Sequence, residues 1–205
     1  MTSLQWRPFH RSRLDSPVAV VGAVLALAVF NAGADYLNNL WFHIPLFFDT
    51  IGTTVATALF GLLPGLVTAV GTHVALELMH PESVASYLPW MACSMSSALI
   101  LWLHVRNGRF STVLDVLVAT LWVALANALM GALIAVLLFS GITGHAVDYV
   151  ATALFTFVRN VFSATFLARL PVNLADKAIA VLVAFLVYRL ARPRRREPAE
   201  ESAPE

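Results

Sequence analysis

Charge is scarce in this sequence: Asp, Glu, Lys and Arg together supply 12% of its 205 residues, about half the share of an ordinary soluble domain. Set beside 59% hydrophobic residues and a mean hydropathy of +0.77, that scarcity excludes a soluble reading. The formal net charge of +1 is too small to argue for nucleic acid as a partner. Cysteine is nearly absent as well. The single one, Cys93, lies inside an apolar run, which excludes an internal disulfide framework and a Cys-based zinc site and leaves a small buried hydrophobe. No nucleophile elbow, phosphate-binding Gly-rich loop or zinc-protease motif occurs. The chain therefore carries no expected catalytic residue and no cofactor, and it is not expected to hydrolyse nucleotide itself. No long-period repeat and no soluble catalytic domain is visible.

What the sequence does have is a succession of apolar runs, where a membrane span needs about 20 residues. Arg7 to Arg13 precede the first run. From Val18 to about Ala34 that run lacks a clear small-residue cleavage site, so an uncleaved first span from Pro17 to about Tyr36 is expected. The second span runs from Phe48 to Leu63 and the third from Gly65 to Met79, divided by a Pro64-Gly65 turn. Both are short and rich in Gly, Ala and Thr, which suits helices surrounded by protein rather than lipid. The fourth extends from about Ser86 to Leu103, the fifth from Val113 to Phe139 and the last from Val172 to Leu190.

The stretch Ala146 to Leu170 is also apolar, but Asp148, Arg159, Asn160 and Arg169 interrupt it. The positive-inside rule decides its role. Arg7, Arg11 and Arg13 place one terminus in the cytoplasm, and Arg189, Arg192, Arg194, Arg195 and Arg196 place the other there, so the number of crossings is even. The expected architecture is an all-α integral membrane protein: a six-helix transmembrane bundle with an extra external or re-entrant helix before the last span. Residues 1–16 form a basic cytoplasmic segment, 17–191 the membrane domain and 192–205 a disordered cytoplasmic tail.

With that topology three loops share the outer side, and most unusual polar residues lie in or just beneath them: Asn31, Asp35, Asn38, Asn39, Asp49, His73, Glu77, His80, Arg159, Asn160, Asn173 and Asp176. A cavity open to the outside and lined by such groups would hold a small polar ligand. Asp49 fits equally a helix cap or a ligand contact. Asp176-Lys177 fits a structural ion pair, and Asn127 fits interhelical glue. Arg159, in an apolar stretch beside Asn160, calls for a carboxylate from Asp35, Asp49 or a substrate. His73, Glu77 and His80 recur at i, i+4 and i+7 on one helical face. A metal there would need further carboxylates and a second Glu-x-x-His element, which the chain lacks, so no metal is expected.

The runs Pro45-Leu46-Phe47-Phe48-Asp49-Thr50-Ile51-Gly52-Thr53, Gly61-Leu62-Leu63-Pro64-Gly65 and Pro171-Val172-Asn173-Leu174-Ala175-Asp176-Lys177, with the break Gly141-Ile142-Thr143-Gly144, resemble the substrate-binding S components of energy-coupling factor (ECF) vitamin transporters. The resemblance covers about residues 17 to 191. It implies an outward-facing vitamin pocket in the plasma membrane, a transmembrane coupling subunit and a pair of cytoplasmic ATPases. It also implies docking through small residues four apart on the first helix, for which Ala19 with Ala23, Gly22 with Ala26, and Ala28 with Ala32 qualify. From position, the substrate-binding candidates are Asn38, Asp49, Arg159, Asn160 and Asn173. Two rival readings are a multi-span sensory or scaffold module, its output supplied by a partner, and an intramembrane metalloenzyme built on His73, Glu77 and His80.

Overall fold

A computed structural model describes residues 16–80 and 85–191. The basic N-terminal residues, the C-terminal tail and residues 81–84 lie outside that description, and with them the expectations placed on those segments. Among the described residues every regular element is helical. The seven α-helices are α1 Pro17–Leu37, α2 Ile51–Phe60, α3 Leu62–Met79, α4 Met91–Arg106, α5 Val113–Phe139, α6 Val147–Val158 and α7 Val161–Ala191. Local chemistry sets several ends. Ser16 accepts the Ala19 N–H at 3.1 Å with Pro17 in the first turn of α1, where proline's missing donor costs nothing. Thr112 and Asp115 form a reciprocal capping box at the start of α5.

Five helices, α1, α3, α4 together with the 3-10 turn Leu88–Trp90 before it, α5 and α7, are long and apolar enough to cross a membrane. Their composition is inverted relative to a soluble bundle. On α5 the large residues Leu121, Trp122, Leu129 and Leu133 face outward, while Ala119, Ala124, Ala128, Ala132 and Ala135 are fully buried. Threonines and serines join them inside: Thr53, Thr54, Thr68, Thr72, Ser94 and Ser97 are all completely buried. Small interior residues let backbones approach where lipid already solvates the bulky side chains. The chain is a membrane-embedded, multi-pass helical protein.

The helix α2 sits at the hub. It packs against α1, α3, α4 and α7, while α1–α3, α3–α4, α4–α5 and α5–α7 contacts close the bundle around it and α6 lies on α7. Residues Gly52 to Ala58 of α2 are all buried, as expected for a short Gly- and Thr-rich helix enclosed by protein. One end of the bundle is a dry core of Val55, Leu101, Phe110, Val116, Val123, Val181 and Phe185. The opposite end, where α1 finishes and α2 and α7 begin, is polar.

Three sequence expectations are corrected. The break between the second and third helices falls at Gly61, whose φ of 97° suits glycine alone. Pro64 therefore lies inside the first turn of α3 rather than in a turn. The second helix has only 10 residues, about half a span. Finally, the stretch from Ala146 to Leu170 is not one separate element. Only Val147–Val158 forms the extra short helix, and α7 begins at Val161 and continues straight through Pro171 for 31 residues. Proline is tolerated within a membrane helix when neighbouring groups answer the freed backbone.

Gly52 marks the closest approach of α2 to α1: a Cβ there would sit 2.5 Å from the Leu27 carbonyl oxygen and 3.0 Å from Asn31 Oδ1. A Cβ on Gly22 would meet nothing within 4 Å. Gly52→Ala is therefore expected to destabilise the protein by about 1–3 kcal/mol, whereas Gly22→Ala should be neutral or slightly stabilising. Thermal unfolding in detergent checks the pair, and equal melting temperatures would contradict the close approach.

Candidate functional site

Between Phe42 and α2 the chain is not helical, and its polar backbone groups need partners that a membrane interior does not supply as water. Side chains supply them. After a wide turn at Asn38–Phe42, the Asn38 amide donates to the carbonyls of Ile44 and Leu46, each at 2.9 Å, and accepts the Ile44 N–H. Asp176 of α7 accepts the N–H groups of Phe47 and Phe48 at 3.2 and 3.0 Å with one oxygen. Phe48 is held at φ 55°, a left-handed conformation unusual for an aromatic residue. Asn31 then accepts the Gly52 N–H at 2.6 Å and donates to the hydroxyls of Thr53 and Thr72. Ile44 and Leu46 are thus tied to Asn38, Phe47 and Phe48 to α7, and Gly52 to α1.

The same segment delivers Asp49 and Thr50 to Lys177. The ammonium donates to Thr50 Oγ1 at 2.7 Å and to Asp49 Oδ1 at 3.4 Å, and it forms an ion pair with Asp176 Oδ2 at 2.7 Å. The second oxygen of Asp49 faces Ser94 Oγ at 3.5 Å and His73 Nε2 at 3.6 Å, and these two partners are themselves 2.9 Å apart. Lys177, Asp176 and His73 are essentially inaccessible. A buried cation of this kind persists only when paired and hydrogen-bonded.

Beside this cluster lies a cavity of about 680 Å³, within the range of small-molecule sites. Its wall includes Asp35 and Asn39 from the end of α1, Asp49, His73, Trp90 and Cys93, Asn127 and Gly131 of α5, Thr143 and His145, and Arg169, Asn173 and Lys177 of α7. Arg169 is 2% exposed. Its guanidinium stacks 4.8 Å above the Trp90 ring and 5.9 Å from Phe47. Its stem packs beside Gly131 of α5, whose added Cβ would lie in ordinary contact at 3.5 Å. Its polar contacts are thin. Nη2 reaches Thr143 Oγ1 at 3.4 Å and Asp148 at 3.9 Å, and Nε has no partner. Asp148 is occupied with capping, accepting the Thr143 and Gly144 N–H groups at 2.6 and 2.8 Å.

His145 stands against Phe47 with ring centroids 4.8 Å apart. Burial, reinforced by the Arg169 charge, pushes its imidazole down to about 4, so the ring is neutral at neutral pH. Nδ1 accepts the Val147 N–H at 3.4 Å, which places the proton on Nε2, and that buried nitrogen has no partner. Across the cavity Asp35 is 4% exposed and receives one hydrogen bond, from Asn39 at 2.9 Å. No cation among the described residues forms an ion pair with it.

Of the residues nominated from sequence, Asp49 and Asn173 line this cavity. Asn38 is buried but spends its amide on the backbone of the irregular segment. Arg159 and Asn160 lie elsewhere, both exposed between α6 and α7. Arg159 takes a left-handed backbone at φ 49° and Asn160 caps α7 by accepting the Ser163 N–H at 2.8 Å. The carboxylate sought for Arg159 is absent from its surroundings among the described residues. On α1, Ala28 and Ala32 are buried within the protein at 6% and 2% exposure, so they form no docking surface here; Ala19 and Ala23 are half-buried, and Gly22 and Ala26 are exposed.

The stripe His73, Glu77 and His80 does not converge. His73 turns to Ser94 and Asp49, Glu77 accepts from Ser86 and the Tyr87 N–H, and His80 lies between the Tyr36 and Tyr87 rings. Among the described residues no group of three potential ligands could hold a metal ion. Asn127 does act between helices, donating to Ser97 of α4 at 2.9 Å. The residues that sequence reasoning passed over are Arg169 and His145. Arg169, Asn173 and Lys177 recur every fourth residue, a spacing that puts them on one helical face, but the signal is readable only if the helix is allowed to pass Pro171.

No family model, curated protein or solved structure matches this chain.

Removing the charge of Lys177 leaves Asp49 and Asp176 buried without compensation. Lys177→Met is expected to cost about 3–5 kcal/mol of stability. Because Asn at position 176 keeps an oxygen to accept the Phe47 and Phe48 N–H groups, the double variant Lys177→Met/Asp176→Asn should recover part of that loss. Thermal unfolding of the two single variants and the double variant reads the coupling, and strict additivity would contradict the ion pair.

Proposed function

We propose that this chain is the substrate-binding membrane subunit of an ECF-type importer, which takes a vitamin or similar small polar nutrient from outside the cell. The observation that carries the reading is the cavity of about 680 Å³ at one end of the bundle, walled by aromatic rings and by buried polar groups with bonding capacity to spare. The sequence resemblance supplies the class of transporter. In this reading the chain catalyses nothing. A transmembrane coupling subunit and a pair of cytoplasmic ATPases supply the work of uptake. The protein lies in the plasma membrane with both termini in the cytoplasm. Six crossings are reached when α2 and the irregular segment that leads into it count together as one, since α2 alone is about 15 Å long. The cavity then opens outward, and the dry core around Phe110 and Phe185 lies toward the cytoplasm.

A melting-temperature screen of the purified protein against water-soluble vitamins and their precursors tests this. At least one compound should raise the melting temperature in a concentration-dependent way. Arg169→Gln should weaken that compound by about tenfold or more, the loss expected for a charged hydrogen bond. A screen in which no compound stabilises the protein would contradict the proposal.

A further inference from the structure

The cavity wall is electrostatically uneven, and the unevenness describes a ligand. Lys177 is fully engaged by Asp176, Thr50 and Asp49, so it offers a ligand little. Besides the unpartnered Nδ1 of His73, three other side chains are left with capacity. On the α7 side, Arg169 Nε and His145 Nε2 are buried donors without partners, and both side chains flank the Phe47 ring. On the α1 side, the Asp35 carboxylate is 96% buried by its 4% exposure and holds a single hydrogen bond. Asp35 comes from the end of α1 and Arg169 from α7, and both line one cavity with His145. Buried donors and acceptors left unmet are costly. A ligand that meets both sides at once removes that cost.

We propose that the cavity selects an amphoteric small molecule, its anionic group seated on Arg169 and His145 and its basic nitrogen seated on Asp35. The body between the two ends rests against Phe47 and Trp90, the rings that flank the guanidinium. A guanidinium with free N–H groups presents the fork that matches a carboxylate or phosphate. The neutral imidazole adds a donor without adding charge. Asp35, which has no ion-pair partner among the described residues, answers an ammonium or an amidine-like group in the same way. This rests on the reading of the cavity as the substrate site, and it adds the substrate's charge class; it does not depend on the coupling partners.

The test uses the full chain in detergent and three matched probes: para-aminomethylbenzoate, which carries both charges, its methyl ester, which keeps only the cation, and para-methylbenzoate, which keeps only the anion. Melting temperature against probe concentration gives three affinities. The amphoteric probe is expected to bind about tenfold tighter than either singly charged analogue, one charge-assisted contact being lost in each. Arg169→Gln should erase its advantage over the ester, and Asp35→Asn its advantage over para-methylbenzoate. The comparison among probes on the unaltered protein stands even if a variant fails to fold. Equal affinities, a preference for a singly charged probe, or no binding of any probe would overturn the charge class. The vitamin screen decides separately whether the chain binds a nutrient at all.

Discussion

Backbone that is not helical has to be satisfied by side chains when no water is at hand, and in this protein three residues carry that duty. Asn38, Asp176 and Asn31 hold the chain between α1 and α2 through hydrogen bonds to Ile44, Leu46, Phe47, Phe48 and Gly52. Asn31 and Asp176 lie on long helices and Asn38 directly follows α1, so the irregular segment inherits their rigidity. The consequence is architectural. A helix of 10 residues begins deep in the bundle, and the space beside its first turn is left as a cavity rather than filled by another turn of helix.

The charge cluster follows from the same arrangement. Asp176 meets the backbone with one oxygen and Lys177 with the other, and Lys177 passes the connection to Thr50 and Asp49. The ion pair and the broken backbone therefore stabilise each other. Buried ion pairs contribute little net stability compared with apolar packing. Here the pair fixes a conformation and engages Lys177, so that much of the capacity left in the cavity belongs to Arg169, His145 and Asp35.

Much of this was legible in the sequence. The apolar runs locate α1 and α5 within a residue or two, and the abundance of Gly and Thr around residues 52–54 announces a helix enclosed by protein. Asp49 and Asn173 are recognisable because polar groups at the edge of a span are costly and need a reason. The failures have physical causes. Pro171 reads as a break, yet inside a packed membrane helix its missing donor is absorbed, and missing that continuity hides the Arg169–Asn173–Lys177 face. Arg159 draws attention as a charge in an apolar stretch, but a short helix ends there and its side chain is exposed. Ala28 and Ala32 have the spacing of a docking stripe, and that spacing serves equally well for packing inside, against α3: the Ala28 methyl comes within 3.3 Å of where a Cβ on Gly71 would stand.

The central claim is that the cavity beside the α2 N-terminus exists to hold a small molecule. Mass spectrometry of compounds released from gently purified protein addresses it most directly. The account predicts one compound in stoichiometric amount from the unaltered chain, strongly depleted from Arg169→Gln protein that remains folded. Release of the same compound in equal amount from both proteins would contradict the account, because the cavity would then not be where that molecule binds.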